Sequence, residues 1–285
     1  LKPSFANDER LKKNRIKKLF IDPYDFSHAD FIKITNNTNT NFISKENFSK
    51  TKRMIKSDDE IKLLIKASKL GRKAFDNFAL FLSQNKKFKS EQEMFFKAYE
   101  HLSFIGKYDI SFEPIVAINE SAAKPHALPS SKKLKNNDLL LVDAGLKYKR
   151  YCSDRTATAC YKNEKIHFKR EQKFKNKKHQ KIYDLVYKAQ QIAIKKTRAG
   201  MKASQVDKLA RDIIYKAGYG EYFKHGTGHG IGLDIHEYPS INSRSDIIIE
   251  DNMVFTIEPG IYLPTEFGVR IEDSVVIKNG RAQII

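Results

Sequence analysis

Apolar residues recur at helical spacing in four places along the chain, and polar residues mark where those helices start. Ser57-Asp-Asp-Glu60 is a capping box, in which the Ser57 hydroxyl accepts from the Glu60 N–H and the Glu60 carboxylate reaches back. Behind it Ile61, Leu64, Ile65, Ala67, Leu70, Ala74 and Phe75 share one helical face. Ser90-Glu-Gln-Glu93 is a second capping box and opens a helix through Phe95, Phe96, Tyr99 and Leu102. Ile182, Leu185, Val186, Ala189, Ile192 and Ala193 predict a third helix that ends near Gly200. A fourth covers residues 204–217, with Val206, Leu209, Ala210 and Ile213 inward and Gly218 as its stop.

Extended segments are predicted at residues 112–118, 139–144 and 151–161, and again at 253–258 and 268–277. Each half therefore reads helix, helix, then strands. That order predicts an α+β fold with an internal duplication, its helices covering one face of a largely antiparallel sheet. The repeat lies in the order of elements and not in residue identity. Ahead of it, residues 1–56 read as a strand at 17–23, a helix at 27–34 and an extended piece at 41–44. Such alternation suits an α/β unit, yet about fifty residues make a poor domain alone. Residues 1–56 are thus read as the C-terminal remnant of an N-terminal domain, and 57–285 as the main domain. The first residue is Leu1, which fits the inside of a longer protein.

With 285 residues, 40% of them apolar, the chain can bury a large core. It has no run of about eighteen apolar residues, which argues against a membrane partner. No charged segment followed by an apolar one marks a secretion signal. Cys152 and Cys160 are too few for a disulfide framework, so the expected compartment is the reducing cytoplasm. The net charge of +19 raises the question of nucleic acid. The densest basic run, residues 162–181, holds Lys169-Arg170, Lys173, Lys175 and Lys177-Lys178 with little aromatic interleaving. It reads as a solvated, lysine-rich insertion and not as a nucleic-acid surface.

The chemistry concentrates in His225-Gly-Thr-Gly-His-Gly-Ile-Gly-Leu-Asp-Ile-His-Glu237. There His225, His229 and His236 accompany alternating Gly226, Gly228, Gly230 and Gly232. So many glycines disfavour a helix and allow close backbone approach. Carboxylates supply the rest. If the chain turns near Tyr148-Lys149, Asp143 and Asp154 fall opposite each other, with Cβ atoms about 4.5–5.5 Å apart. If a second turn centres near Thr265, Glu258 opposes Glu272, and Arg270 shares the Glu272 face. Two unit charges 4 Å apart repel by about 4 kcal/mol at an effective dielectric of 20. Four together need protons or cations among them. With one histidine added, the donor set is mostly oxygen with a single nitrogen, which suits two hard divalent ions such as Mn²⁺.

These motifs resemble the metallopeptidases of the pita-bread fold, which comprise Xaa-Pro aminopeptidase, prolidase and methionine aminopeptidase. Phe112-Glu-Pro-Ile-Val-Ala117, Pro125-His-Ala127, Leu141-Val-Asp-Ala-Gly145 and Tyr151-Cys-Ser-Asp-Arg-Thr156 look like the first half of that fold. Residues 225–237, Phe255-Thr-Ile-Glu-Pro-Gly260 and Val269-Arg-Ile-Glu-Asp273 look like its second. The resemblance implies a pseudo-twofold pair of helix-helix-strand halves, with metal ligands at Asp143, Asp154, His229, Glu258 and Glu272. It also implies substrate-facing or proton-handling roles for His126, His225 and His236, and an orienting role for Arg270. Methionine aminopeptidases carry glutamine where this chain has Arg270, so the proline-specific branch fits better. In that branch the N-terminal domain helps close the site and often joins in oligomerisation, so a homo-oligomer is a further expectation.

The leading functional expectation is removal of an N-terminal residue that precedes proline. A metal-bridging hydroxide would be the nucleophile and Glu258 a proton shuttle, with His225 or His236 stabilising the oxyanion. The alternatives are a prolidase acting on Xaa-Pro dipeptides, a metal-free C–N hydrolase of the creatinase type, and a non-catalytic binding module. Intact carboxylates argue against the last two.

Overall fold

A computed structural model describes residues 16–24, 27–36, 39–85 and 90–285. The first fifteen residues of the expected N-terminal remnant lie outside this set. Contacts divide the chain into two compact units, one up to Arg53 and one from Met54 to Ile285.

In the first unit β1 (Lys18–Ile21) and β2 (Asn41–Ser44) pair in parallel, from Lys18↔Asn41 to Ile21↔Ser44. Helix α1 (His28–Thr35) lies between them in sequence, its start capped by Ser27, which accepts from the Asp30 N–H. This is the α/β alternation expected. Helix α2 (Phe48–Arg53) follows and is not legible in the pattern.

The second unit opens with α3 (Asp58–Gln84) and α4 (Glu91–Leu102), both started by complete capping boxes at Ser57/Glu60 and Ser90/Glu93. A three-stranded antiparallel sheet follows: β3 (Ile115–Ile118), β4 (Leu139–Ala144) and, past the short β5 (Lys147–Tyr148) and β6 (Tyr151–Cys152), β7 (Arg155–Cys160). Every residue of β4 is buried, which explains its unbroken apolar run. Leu140 and Val142 pack with Phe75, Phe78 and Met94 of α3 and α4, while Leu139 and Leu141 join a core built mostly from the second half.

The second half repeats the plan. Helices α5 (Lys177–Lys196) and α6 (Ala203–Lys216) precede β8 (Gly228–Gly230), β9 (Glu237–Ile241), β10 (Val254–Ile257), β11 (Gly260–Leu263), β12 (Phe267–Arg270), β13 (Asp273–Lys278) and β14 (Arg281–Ile284). The main sheet runs β14-β13-β10-β8-β9. Val186, Ala189, Val206 and Ala210 on the two helices pack with Phe255, Ile257, Val275 and Ile277 of that sheet. Each fully buried Val, Ile or Phe side chain among them contributes about 1.5–3 kcal/mol by leaving water.

Each half is built around one long hairpin that is interrupted partway. In the second, Ile257↔Asp273 and Gly260↔Arg270 hold one continuous register around Thr265, whose φ is 63°. Glu258 and Glu272 therefore fall opposite each other at the interruption, as the spacing predicts. In the first, Asp143 pairs with Thr156 and not with Asp154. The turn is the reason. It is formed by Lys149 and Arg150, both at positive φ (48° and 75°), between the paired Tyr148 and Tyr151. This two-residue turn sits one position later than expected and moves the register by two. Asp154 is then a diagonal neighbour of Asp143 on the same face.

Candidate metal centre

Asp154, Glu258 and Glu272 occupy the interruptions of the two hairpins, where backbone leaves the ladder and side chains turn inward. Asp143 comes from β4 and His229 from the middle of β8. One donor atom each from Asp154, His229 and Glu272 lie within 4.8 Å of one another. His229 Nε2 is 3.5 Å from Asp154 Oδ2 and 3.3 Å from Glu258 Oε1. Its Nδ1 lies 3.1 Å from the Gly230 carbonyl and donates to it, so Nε2 presents a lone pair to those oxygens. Asp143 Oδ1, Asp154 Oδ1 and Glu272 Oε1 are buried and lack any hydrogen-bond partner.

Orphaned carboxylate oxygens and an imidazole lone pair facing each other in a buried space are mutually repulsive. Burial, then the charges of Glu272, Asp143 and Glu258, push the Asp154 carboxyl well above the usual range. Burial and then Glu258 and Asp143 do the same to Glu272. Burial pushes Glu258 up to about 7, against the opposing pull of Arg270. Burial also lowers His229 and keeps its imidazole neutral. A donor set of four carboxylates and one neutral imidazole fits divalent cations, which would take up those oxygens.

Arg270 is buried at 4% exposure and its guanidinium donates to four partners, the longest contact running from Nη1 to the Pro125 carbonyl at 3.4 Å. Nη2 donates to Asp143 Oδ2 (2.6 Å), Nε to Thr156 Oγ1 (3.0 Å) and Nη1 to the Tyr262 hydroxyl (2.7 Å). Thr156 in turn donates to Glu272 Oε2 at 2.6 Å. The Tyr262 hydroxyl lies 2.8 Å from His225 Nε2, whose Nδ1 lies 2.7 Å from the Gly226 carbonyl. The donors thus run one way, from Arg270 to Tyr262 to His225 to the backbone. Burial and the charge of Arg270 hold His225 down at about 4, so it is neutral near pH 7. Burial pushes the Tyr262 phenol up to about 12, which keeps it a donor.

The three histidines outside the ligand cluster differ in setting. His225 is partly buried within that hydrogen-bond chain. His236 is exposed, with its ring 4.4 Å from that of His229 in an edge-on arrangement. His126 is exposed in the turn after the short 3-10 segment Asn119–Ala123, next to Pro125, whose carbonyl accepts from Arg270 Nη1 at 3.4 Å. All nine residues singled out in the sequence thus gather around one centre.

The glycines of this stretch serve close approach. A Cβ on Gly228 would lie 1.9 Å from the Thr256 carbonyl oxygen, and one on Gly230 would lie 2.1 Å from that of Tyr238. Thr256 then accepts from the His229 N–H (3.0 Å) and donates to Glu258 (3.1 Å). From α6, Asp207 accepts from both N–H and hydroxyl of Thr227, and its partner Arg211 donates to the His225 carbonyl. The Thr227 carbonyl accepts from the Glu258 N–H at 2.7 Å.

Sequence reading missed Tyr262, Thr156 and Arg170. Arg170 corrects the reading of residues 162–181 as a solvated insertion. Its lysines up to Lys178 are exposed, but Ile166, Phe168, Gln172 and Phe174 are buried at alternate positions, the period of an extended strand. Arg170, in phase with them, pairs with Asp273 at 2.6 Å and donates to the Glu272 carbonyl at 2.7 Å. The segment buttresses the centre from behind.

Among the described residues no helix is long and apolar enough to cross a membrane. The profile of metallopeptidase family M24 matches residues 62–279. An uncharacterized peptidase of Staphylococcus epidermidis is 40% identical over 233 residues, 82% of this chain and 62% of that protein. The Xaa-Pro dipeptidase of Pyrococcus horikoshii is 36% identical over 233 residues, again 62% of its length and 81% of this chain. The crystal structure of X-Pro aminopeptidase from Thermotoga maritima superposes with a TM-score of 0.84 at 31% identity, covering 97% of this chain and 74% of that one. The chain thus spans less than two thirds of the length of these two relatives. With the profile covering most of its length, the chain belongs to metallopeptidase family M24.

Proposed function

We propose that this chain is a dimetal hydrolase that removes the N-terminal residue from peptides whose second residue is proline. The observation that carries this reading is the buried convergence of four carboxylates on the lone-pair side of His229, with three carboxylate oxygens unpartnered. Asp143, Asp154, His229, Glu258 and Glu272 would hold two divalent ions, and the oxygen-rich donor set favours Mn²⁺. When bound, such a pair supplies a water deprotonated near neutral pH and polarises the scissile carbonyl.

The chain's own residues do the rest. Proline's ring nitrogen leaves as an amine, so its departure, like that of any amide nitrogen, depends on a proton delivered as the C–N bond breaks. Glu258, which accepts from the Thr256 hydroxyl at 3.1 Å, is the carboxylate placed to pass that proton on. His236, exposed beside His229, faces the developing oxyanion more directly than His225, whose Nε2 already accepts from Tyr262. His126, exposed nearby, contributes to the substrate side. Arg270 orients Asp143 and, through Thr156, Glu272. Cys152 and Cys160, both buried free thiols, suit a cytoplasmic location.

The test is a panel of Ala-Pro, Ala-Pro-Ala, Met-Ala-Ser and Leu-Gly-Gly incubated with added Mn²⁺ and followed by mass spectrometry. The two proline peptides should be cleaved and the others left nearly intact. Faster cleavage of Met-Ala-Ser would overturn the specificity, and cleavage of Ala-Pro without Ala-Pro-Ala would make the enzyme a dipeptidase. Ligand and substrate roles separate by metal content. Glu272→Ala and His229→Ala should lose bound Mn²⁺ together with activity, whereas His236→Ala should keep the metal and lose roughly 10²–10³-fold in kcat. An empty site in His236→Ala would move that residue into the ligand set.

A further inference from the structure

A further buried ionic contact lies behind the histidine-bearing loop and takes no part in the chemistry described so far. Lys56 Nζ and Glu237 Oε2 are 2.8 Å apart, and both side chains are only 1% exposed. Lys56 belongs to the second compact unit, although the sequence pattern put the boundary after it. Its backbone is anchored on both sides: its N–H donates to the Asn252 carbonyl, Ile55 bridges to Met253, and Ser57 caps α3. A buried ammonium at the tip of a flexible side chain thereby has a fixed base.

Glu237 is the first residue of β9 and directly follows His236. Glu237 is buried, whereas His236, in the bend just before the strand, is exposed. The chain between His229 and His236 folds around the Glu237 carboxylate. Glu237 Oε1 accepts from the Asp234 N–H at 3.1 Å. Gly232 passes so close that a Cβ there would lie 2.5 Å from Oε2. The Gly232 carbonyl accepts from the Cys152 N–H at 2.8 Å. Beside the loop's own backbone contacts, the Glu237 carboxylate thus ties the loop to the buried Lys56 ammonium.

We propose that the Lys56–Glu237 pair is a positioning element that fixes the loop between His229 and His236 and so sets the His236 imidazole against the peptide. The assignment rests on the reading of His236 as substrate-facing. Both side chains of the pair are buried at 1% exposure, whereas His236 is exposed. Loss of the pair should therefore leave the metal in place and misplace the imidazole, and displacement of such a group by about 1 Å costs on the order of 10²-fold in rate.

The experiment compares wild type, Lys56→Arg, Lys56→Met and the double variant Lys56→Met/Glu237→Leu. Each is read by Tm, bound manganese, kcat and KM on Ala-Pro-Ala, and the histidine ring resonances of metal-free protein, with that of His236 assigned through His236→Gln. A buried ion pair replaced on both sides by apolar residues often retains stability. The double variant should therefore recover the Tm lost in Lys56→Met, yet keep a shifted His236 resonance and a kcat about 100-fold below wild type. Bound manganese should match wild type, KM should stay within about threefold, and Lys56→Arg should regain part of kcat. A double variant with wild-type resonance and wild-type kcat would reduce the pair to a stability element and overturn the proposal. Loss of manganese in step with kcat would assign the pair to the ligand set instead. Wild type inactive on every peptide would sink the peptidase reading, while the His236 resonance would still judge the positioning claim.

Discussion

Metal-free protein is expected to lose thermal stability as the pH rises from about 5 to about 8, and the gain from added Mn²⁺ is expected to grow over the same interval. The cause is the carboxylate cluster. Asp154, Glu258 and Glu272 are all pushed upward in the folded chain, first by burial. In the unfolded chain they return to ordinary carboxyl values near 4. The folded state therefore holds protons that the unfolded state has released. Their contribution to stability is fully present below the unfolded values and is lost as pH rises through the folded ones, Glu258 at about 7. Raising one carboxyl from 4.5 to about 7 corresponds to on the order of 3 kcal/mol. For a unit of this size that is roughly 6–12 °C in Tm. Divalent ions compete with those protons and bind the ionised form, so their effect grows as the protons leave. Melting curves with chelator and with Mn²⁺ at several pH values decide the matter. A metal-free Tm that rises over this range, or a Mn²⁺ shift indifferent to pH, would remove the cation from the account of this cluster. Asp154→Asn should flatten the metal-free slope.

Features legible in the sequence were those whose local chemistry has few alternatives. The capping boxes at Ser57 and Ser90 place the starts of α3 and α4 at the residue expected. The spacing of Glu258 and Glu272 around Thr265 fixes their opposition, because a hairpin's register follows from its turn centre. The same reasoning failed for Asp143 and Asp154 because Lys149 and Arg150 adopt positive φ without the glycine or asparagine that usually announces it. Strand β8 was hidden by its own composition, since Gly228 and Gly230 carry no strand preference. Arg170 was hidden by its lysine neighbours, which dominate the charge count while Ile166, Phe168, Gln172 and Phe174 carry the period of two. Tyr262 had a signal of a weaker kind. It lies on the same strand face as Gly260, the partner of Arg270, but an apolar strand bearing a tyrosine reads first as core. What the sequence conceals is mostly the layer that orients the candidate donors. Those residues are chosen for reach and hydrogen-bond geometry across the fold, and no local spacing records it.

Arg270→Met is expected to lower stability by about 3–5 kcal/mol, because it leaves Asp143, Tyr262 and Thr156 without the buried cation that joins them. In Tm that is a fall of roughly 6–20 °C for a unit of this size. Activity on Ala-Pro-Ala should fall further than the loss of folded protein explains, since Thr156 would no longer be held against Glu272. Arg270→Lys preserves the charge and distinguishes two contributions. An ammonium can reach Asp143, but it has no planar fork to serve Tyr262 and Thr156 at the same time. The lysine variant should therefore regain more stability than activity. The metal adds a second readout. Without Arg270 the carboxylates keep no internal cation, so Mn²⁺ should raise the Tm of Arg270→Met by more than that of wild type. A smaller rise would mean that Arg270 shapes the ligand set more than it balances its charge, and equal activity in Arg270→Lys and wild type would show that charge alone suffices.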